Sequence, residues 1–356
     1  MLRPSRYGPI LAALALLLSA CAQIRPAGPA IDKPHFAGPE AHPDAFIAAD
    51  GARLPMREWL PSGKPRAVIL ALHGMNDYSE AFDDPGRTFA DDGFAVYAYD
   101  QRGFGRAPDH GYWAGTRTLV ADADAAALVL AARYPHTPLY LLGESMGGAV
   151  AMLAAETMPP PHLAGLILAA PAVWDRGELT FPERALLWIA DTVTPGLRFS
   201  GSGLGIWPSD NIAMLRRLSH DPLIIKRTRV DAINGLVDLM SRAAAAAPDL
   251  RVPALILYGE RDRVVPAKAF WRMVRHLPDL GHGQVIGLYP LGYHMLLRDL
   301  EAGTVMHDIA SWIDHPSRPL PSGAEAIANA RLARMDLRMG RPMPGRHRGD
   351  PRRSQP

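Results

Sequence analysis

The sequence predicts an α/β domain with a mostly parallel central sheet, helices on both faces and a helical cap insertion. Apolar runs of strand length alternate with segments of helical periodicity, which is typical of parallel strands joined by crossover helices. The chain has 356 residues, 48% of them hydrophobic, so it is long enough to bury a large core. Residues 173–247 contain no convincing strand, and their apolar residues follow helical spacing. We therefore place the domain at residues 44–313 and the cap at about 173–247.

The strands of this domain follow from its apolar runs. A hairpin opens it, because Asp50-Gly51 is a turn signal between short strand candidates at Phe46–Ala49 and Leu54–Trp59. The closing helix is predicted at Ala302–Ile313. Six strand candidates lie between hairpin and closing helix: Ala67–Leu72, Phe94–Tyr99, Leu139–Leu142, Leu163–Ala169, Ala254–Tyr258 and Val285–Tyr289.

Residues 1–20 have the anatomy of a secretory signal peptide. Two arginines precede an apolar run that is too short to span a bilayer stably. Leu18-Ser19-Ala20-Cys21 resembles the bacterial lipobox, in which the cysteine is diacylated on its sulfur and becomes the first mature residue. Cys21 is the only cysteine, so it cannot form an internal disulfide. We expect a lipid-anchored protein of the bacterial envelope, on the outer membrane because Ala22 rather than Asp follows; an ordinary signal peptide or an uncleaved anchor is the alternative.

Segments of biased composition flank the domain. Residues 21–43 are rich in Pro, Ala and Gly, which predicts a flexible tether. Residues 314–356 hold nine arginines against four acidic residues and predict a basic, disordered tail, which is either solvated or in contact with anionic lipid. The whole chain has a net charge of +2, of which nine arginines less four acidic residues put +5 in this segment, so the rest of the chain carries −3 and the domain, without the two arginines of the signal peptide, is acidic. An acidic domain argues against a nucleic-acid-binding surface.

Gly143-Glu144-Ser145-Met146-Gly147-Gly148 lies between a strand candidate and the alanine-rich helical stretch Ala149–Glu156. This is the position of a nucleophile elbow, in which a sharp, strained turn exposes a serine hydroxyl. The Gly-x-Ser-x-Gly pattern alone is weak in a chain with 32 glycines, and its place between strand and helix is what carries the prediction. The sequence therefore predicts the α/β-hydrolase fold, with Ser145 as the nucleophile.

A serine nucleophile needs a base to take its proton, and the base needs a carboxylate to orient it. In α/β-hydrolases the acid and then the histidine follow the serine along the chain. Asp262 and His294 lie just past the last two strand candidates, so both project from the sheet edge that carries Ser145. The rivals are Glu260 for the acid and, for the base, His276 and His307 in predicted helices and His282 before the last strand.

Ester hydrolysis also requires two donors for the oxyanion. The backbone N–H of Met146 is one candidate, and that of Met75, in the loop His73-Gly74-Met75, is the other. We expect His73 to shape this loop rather than to transfer protons. The glycine-rich segment Asp100–Gly105 lacks dinucleotide-binding spacing and is expected to be a structural turn. No cluster has metal-ligand spacing, so neither a metal nor a cofactor is predicted.

Three segments extend the pattern beyond the elbow: Asp221-Pro222-Leu223-Ile224, Leu250-Arg251-Val252-Pro253 and Tyr293-His294-Met295-Leu296. With them the chain resembles the monoacylglycerol lipase and lysophospholipase group, in the serine aminopeptidase-like branch of α/β-hydrolases, over residues 45–313. The resemblance implies cleavage of a single-chain acyl ester, with the cap lining an apolar channel for the acyl tail. It also implies that Ser145, Asp262 and His294 match the triad, and that Met75 and Met146 match the oxyanion donors.

The chain departs from that family at two places. Glu144 stands where the family usually has histidine, and Met75-Asn76-Asp77-Tyr78 replaces a small, glycine-containing acidic loop. The predicted reaction is hydrolysis of a monoacylglycerol or lysophospholipid type of ester through an acyl-enzyme on Ser145. The alternatives are an acyl-thioesterase, a catalytically silent binding lipoprotein, and an aminopeptidase-like hydrolase. The last would hold a free amine with acidic cap residues, for which the candidates are Asp175, Glu178, Glu183, Asp191 and Asp210.

Overall fold

The computed structural model describes residues 33–38, 42–157, 163–201, 203, 205–278 and 283–338. Cys21 and the signal segment lie outside these residues, as does the arginine-rich segment from residue 339 onward, so the lipidation remains a prediction. Among the helices that are described, none combines the length and the apolar character needed to cross a bilayer.

A nine-stranded sheet forms the centre of the described fold, in the order β1-β2-β3-β5-β4-β6-β7-β10-β11. From β5 to β11 in this order the strands are parallel, whereas β1, β2 and β3 pair antiparallel with their neighbours. The strands are β1 (His35–Ala37), β2 (Ala45–Ile47), β3 (Arg53–Trp59), β4 (Ala67–Leu72), β5 (Phe94–Tyr99), β6 (Leu139–Glu144), β7 (Gly165–Ala169), β10 (Ala254–Gly259) and β11 (Gln284–Tyr289). Two further short strands, β8 (Arg198–Phe199) and β9 (Thr228–Arg229), pair antiparallel between β7 and β10 in the chain.

Nine helices accompany the strands in the described part of the chain: α1 (Asp83–Asp91), α2 (Thr116–Arg133), α3 (Met146–Thr157), α4 (Phe181–Val193), α5 (Ile212–His220), α6 (Val230–Ala246), α7 (Ala267–His276), α8 (Ala302–Asp314) and α9 (Ala324–Arg338). Helices α2, α3, α6 and α7 contribute to the apolar core on one face of the sheet. Helices α1 and α8 contribute to the core on the other face. The predicted fold class is confirmed.

The burial of the parallel strands explains why the sequence revealed them. Every residue of β4, β5, β6, β7 and β10 is buried, because helices cover both faces of the sheet. Strands in such a sheet have continuous apolar sequences rather than alternating ones. The opening hairpin, β2 and β3, also lies where its turn signal placed it.

The region predicted as a cap divides into two parts. Helices α4 and α5 and the β8–β9 pair lie between β7 and α6 in the chain, and no residue of α4 is buried. Helix α6 packs against α3 and belongs to the body of the domain, with Leu239 and Ala243 fully buried. The apolar stripe of α6 was evident from the sequence, but its periodicity could not tell which neighbour would cover it.

The disorder predicted from residue 314 is wrong for residues 324–338, which form α9. This helix packs against β11 at the end of the sheet, and Ala324 and Ala328 are buried there. Composition alone misled the prediction, because the arginines of this segment hide the helical spacing of its small and apolar residues. The flexible tether predicted for residues 21–43 is likewise wrong at β1, which pairs with β2, and where Phe36 stacks on Tyr97.

Candidate active site

Ser145 lies in the tight turn between β6 and α3, with a backbone φ of 54°. This left-handed conformation is strained for a residue other than glycine and is the one that a nucleophile elbow imposes. A Cβ atom at Gly147 would lie 1.9 Å from the carbonyl oxygen of Leu72, so only glycine allows α3 to approach β4 this closely. The sequence therefore forms the elbow where it was predicted, at the carboxyl end of a central strand.

Asp262 and His294 form a direct hydrogen bond, in which His294 Nδ1 lies 2.8 Å from Asp262 Oδ2. The two loops follow β10 and β11, which are adjacent parallel strands, and both side chains are buried. Asp262 Oδ1 accepts the backbone N–H groups of Val264 and Val265 at 2.7 and 3.0 Å. An ionised carboxylate only accepts hydrogen bonds, so Nδ1 carries the imidazole proton and Nε2 is left as an acceptor.

The pKa of His294 is raised above its ordinary value of 6.5. Burial is the largest single influence and disfavours the charged imidazolium, but the charge and the hydrogen bond of the Asp262 carboxylate together with the charge of Glu144 outweigh it. The charge of Glu144 acts in the same direction, whereas that of Arg298 opposes it. The environment thus favours the imidazolium that forms when His294 takes a proton.

The rival residues lie in other environments. Glu260 forms an ion pair with Arg331 of α9. His276 ends α7, with its Nδ1 2.7 Å from the carbonyl oxygen of Arg272, and His307 lies in α8. His282 is outside the described residues. Asp262 and His294 are therefore the predicted pair that the structure brings together.

The loop after β4 lies against the elbow. A Cβ atom at Gly74 would be 3.4 Å from the Cβ and 4.0 Å from the Oγ of Ser145, and Met75 follows directly. Met146 is the first residue of α3, so its N–H has no acceptor within the helix. Both backbone N–H groups predicted as oxyanion donors thus belong to segments that meet at Ser145.

His73 holds the shape of this loop, in agreement with the sequence prediction. Its Nε2 accepts the backbone N–H of Gln101 at 3.0 Å, and its Nδ1 lies 2.8 Å from the carbonyl oxygen of Gly74. Burial is the main cause that lowers the pKa of His73, so the neutral ring that this pattern requires is favoured. The neighbouring segment Asp100–Gly105 is the structural turn expected, since Arg102 pairs there with Asp50 and Asp122.

The segment between α5 and α6 forms hydrogen bonds with the loop that carries Met75. The carbonyl oxygen of Asn76 accepts the N–H of Ile225 at 3.0 Å, and the Asn76 side chain donates to Thr228 at 2.8 Å. The Tyr78 hydroxyl donates to Asp221 at 2.7 Å. Asp221 belongs to one of the segments that carried the family resemblance, and its position explains why that segment accompanies the site.

Sequence reasoning missed Arg298. This buried residue lies four positions after His294 and donates through Nη2 to Asp77 at 2.6 Å and to Glu144 at 2.9 Å. Its only signal was a charged residue directly after the apolar run Met295-Leu296-Leu297, and nothing local identified its partners. In the part of the chain that is described, no group of three or more His, Cys, Asp or Glu side chains is arranged to hold a metal ion.

Known proteins resemble this chain over most of its length. A family model described as serine aminopeptidase, S33, matches residues 63–301. The monoglyceride lipase of Homo sapiens is 31% identical over 75% of this chain and 89% of that protein. The monoacylglycerol lipase of Mycolicibacterium smegmatis is 26% identical over 76% of this chain and 95% of that protein. The crystal structure of Paleococcus ferrophilus monoacylglycerol lipase shares the fold, with a TM-score of 0.61, 24% identity, and coverage of 74% of this chain and 99% of that one.

Proposed function

Since this chain belongs to the serine aminopeptidase S33 family of α/β-hydrolases, we propose that it hydrolyses carboxylic esters of lipid-like substrates, of the monoacylglycerol or lysophospholipid type. The observation that carries the proposal is the hydrogen-bonded Asp262–His294 pair, on the sheet edge that also holds the strained Ser145. Ser145 is the nucleophile of this proposal, His294 the base and Asp262 the group that orients the base.

Acylation begins when Ser145 Oγ attacks the ester carbonyl carbon and its proton passes to His294 Nε2. The carbonyl electron pair moves onto oxygen, and the N–H groups of Met75 and Met146 stabilise the resulting oxyanion. When the carbonyl re-forms, the bond to the leaving alcohol breaks and His294 gives its proton to that oxygen. The products of this half-reaction are the free alcohol and an acyl ester on Ser145.

Deacylation repeats these steps with water as the nucleophile. Water gives a proton to His294 Nε2 and attacks the acyl carbon, and the same two N–H groups stabilise the second oxyanion. The bond to Ser145 Oγ then breaks, Oγ recovers a proton from His294, and the fatty acid leaves. The Asp262 carboxylate stays ionised throughout and stabilises the imidazolium in both half-reactions.

The exposed apolar residues of the cap support a lipid-like substrate. No side chain of α4 is buried, and Phe181 and Trp188 are 76% and 66% exposed. Large apolar side chains gathered on an exposed surface mark a site of interaction with apolar partners. Other exposed apolar residues of the same region are Leu186, Ile189, Val193, Leu197, Phe199, Ile206, Trp207 and Ile212.

The acidic residues of the cap give no specific support to an N-terminal peptide substrate. An aminopeptidase holds a free amine with carboxylates of the cap, and the five candidate carboxylates here interact with five different groups of the described chain. Asp175 accepts from Gly177, Glu178 pairs with Arg272, Glu183 accepts from Thr180, Asp191 accepts from Asn234, and Asp210 accepts from Leu300.

A substrate profile of the purified enzyme tests the proposal. We expect monoacylglycerols and lysophospholipids to be hydrolysed with a kcat/KM at least about tenfold above that for aminoacyl amides or acyl thioesters, a preference of about 1.4 kcal/mol in transition-state binding. Preferential cleavage of aminoacyl amides would instead support the aminopeptidase alternative, and preferential cleavage of thioesters the thioesterase.

We propose that the enzyme acts at a membrane of the bacterial cell envelope, most simply the outer membrane, where lipidated Cys21 anchors it. The lipobox-like sequence before Cys21 supports this location. The chain expressed in bacteria should incorporate a radiolabelled fatty acid, and Cys21→Ser should abolish that labelling because it removes the acylated sulfur. Equal labelling of the two chains would contradict the anchor.

A further inference from the structure

Three charged side chains form a buried cluster beneath the elbow. Asp77, Glu144 and Arg298 are each less than 10% exposed, and one nitrogen, Arg298 Nη2, donates to both carboxylates. Charged groups removed from water in this way are stable only when they are paired. The cluster is therefore a fixed part of the folded protein rather than a mobile surface pair.

The members of this cluster come from three different segments of the active site. Glu144 ends β6 and directly precedes Ser145. Asp77 belongs to the turn that carries Met75, and it closes that turn through its backbone N–H to Gly74 and its side chain to Tyr78. Arg298 lies four residues after His294. A single nitrogen of Arg298 thus connects the segment that carries His294 to the loop that carries Met75 and to the strand that ends before Ser145.

The cluster has an excess of negative charge, because it contains two carboxylates and one guanidinium group. Glu144 Oε1 accepts from Arg298, whereas Glu144 Oε2 is buried and has no hydrogen-bond partner within the described residues. An ion pair that served stability alone would not include an excess buried carboxylate with an unsatisfied oxygen, because that arrangement is costly. Glu144 is also the residue at which this chain departs from the histidine usual in the family it resembles.

We propose that Arg298 is a positioning residue for ester hydrolysis, which holds the loop that carries Met75 and the strand that ends before Ser145 in register through its hydrogen bonds to Asp77 and Glu144. This inference rests on the proposed function and names the residues that preorganise its site. Arg298 contacts no reacting atom in this scheme. It acts through Asp77 on the Met75 N–H, and through Glu144 on the strand that ends at Ser145.

The charges around His294 provide a readout that a purely structural role would not move. Asp262 and Glu144 raise the pKa of His294, whereas Arg298 and burial lower it. Only neutral His294 can accept a proton, so kcat/KM rises as the pH increases through this pKa, above 6.5. Removing the charge of Glu144 should therefore move this rise to lower pH, and removing that of Arg298 should move it to higher pH.

The experiment compares the wild-type chain with E144Q, R298K and R298M through kcat, KM and the pH profile of kcat/KM for a p-nitrophenyl ester. In E144Q the glutamine can still accept from Arg298, and the rise should move to lower pH because one of the charges that raise the pKa of His294 is removed. R298M should lower kcat about 100-fold with little change in KM, because the oxyanion is absent from the bound ester and develops only as the reaction proceeds. R298K should recover part of kcat, since an ammonium group retains the charge and can donate to both carboxylates.

The matched control is D122N, which makes the same carboxyl-to-amide change beside a different arginine, the partly buried Arg102, outside the site. It should leave kcat and the pH profile unchanged.

R298M leaves two buried carboxylates unpaired and can fail to fold, in which case E144Q and R298K carry the test. An active wild-type enzyme whose E144Q profile is unmoved and whose R298K variant keeps full kcat would overturn the proposal. A wild-type chain without esterase activity would instead contradict the proposed function, and this inference with it.

Discussion

Replacing Ser145 with alanine is expected to lower kcat for p-nitrophenyl esters by about 10⁶-fold, which is the scale of loss when the nucleophile of a cooperating triad is removed. No other described hydroxyl is placed by a strained turn beside Gly74 and the amino end of α3. Alanine fits the space of serine at this position, so the variant should fold. Hydrolysis at saturating substrate, together with labelling by a fluorophosphonate probe, measures the effect.

The control for this variant is Ser219→Ala, since Ser219 is an exposed residue of α5 whose hydroxyl donates to the carbonyl oxygen of Arg216. It should keep full activity and full probe labelling. A Ser145→Ala enzyme that still turned over esters would show that another residue is the nucleophile. A wild-type chain that neither hydrolyses esters nor reacts with the probe would favour the catalytically silent binding protein.

Residues whose role follows from the sequence immediately around them could be predicted. The parallel strands are mostly apolar because both faces of the sheet are covered. Ser145 follows β6 directly, and Asp262 and His294 lie in the loops that follow β10 and β11. Parallel strands bring their carboxyl ends to one edge, so position along the chain was enough to place these residues near one another. The hydrogen bond between Asp262 and His294 agrees with that reasoning.

Contacts that depend on distant partners could not be predicted. Arg298 lies 221 residues from Asp77 and 154 from Glu144 in the sequence, and no local pattern connects them. Helix α9 was missed for a related reason, because its arginines suggested a solvated tail while the surface that it covers, β11, is provided by another part of the chain. Local sequence reports periodicity and chemistry, whereas the pairing of buried charges and the covering of sheet edges are properties of the assembled fold.

Replacing Asp262 with asparagine should lower kcat/KM by about 10⁴-fold through the tautomer of His294. Asp262 Oδ1 accepts two backbone N–H groups, so the amide oxygen of asparagine must occupy that position. The amide nitrogen then faces His294 Nδ1 and donates to it, which places the imidazole proton on Nε2. Nε2 can no longer accept the proton of Ser145, although the site keeps its shape.

The pH profile and a matched variant separate this cause from a loss of folding. The Asp262 carboxylate raises the pKa of His294, so the rise of any residual kcat/KM with pH should begin at lower pH in Asp262→Asn than in the wild-type enzyme. Glu260→Gln makes the equivalent change at the neighbouring rival acid, which pairs with Arg331 away from His294, and it should retain wild-type activity. If Glu260→Gln were inactive and Asp262→Asn active, Glu260 would be the acid that orients His294, and the hydrogen bond from Asp262 would not be used in catalysis.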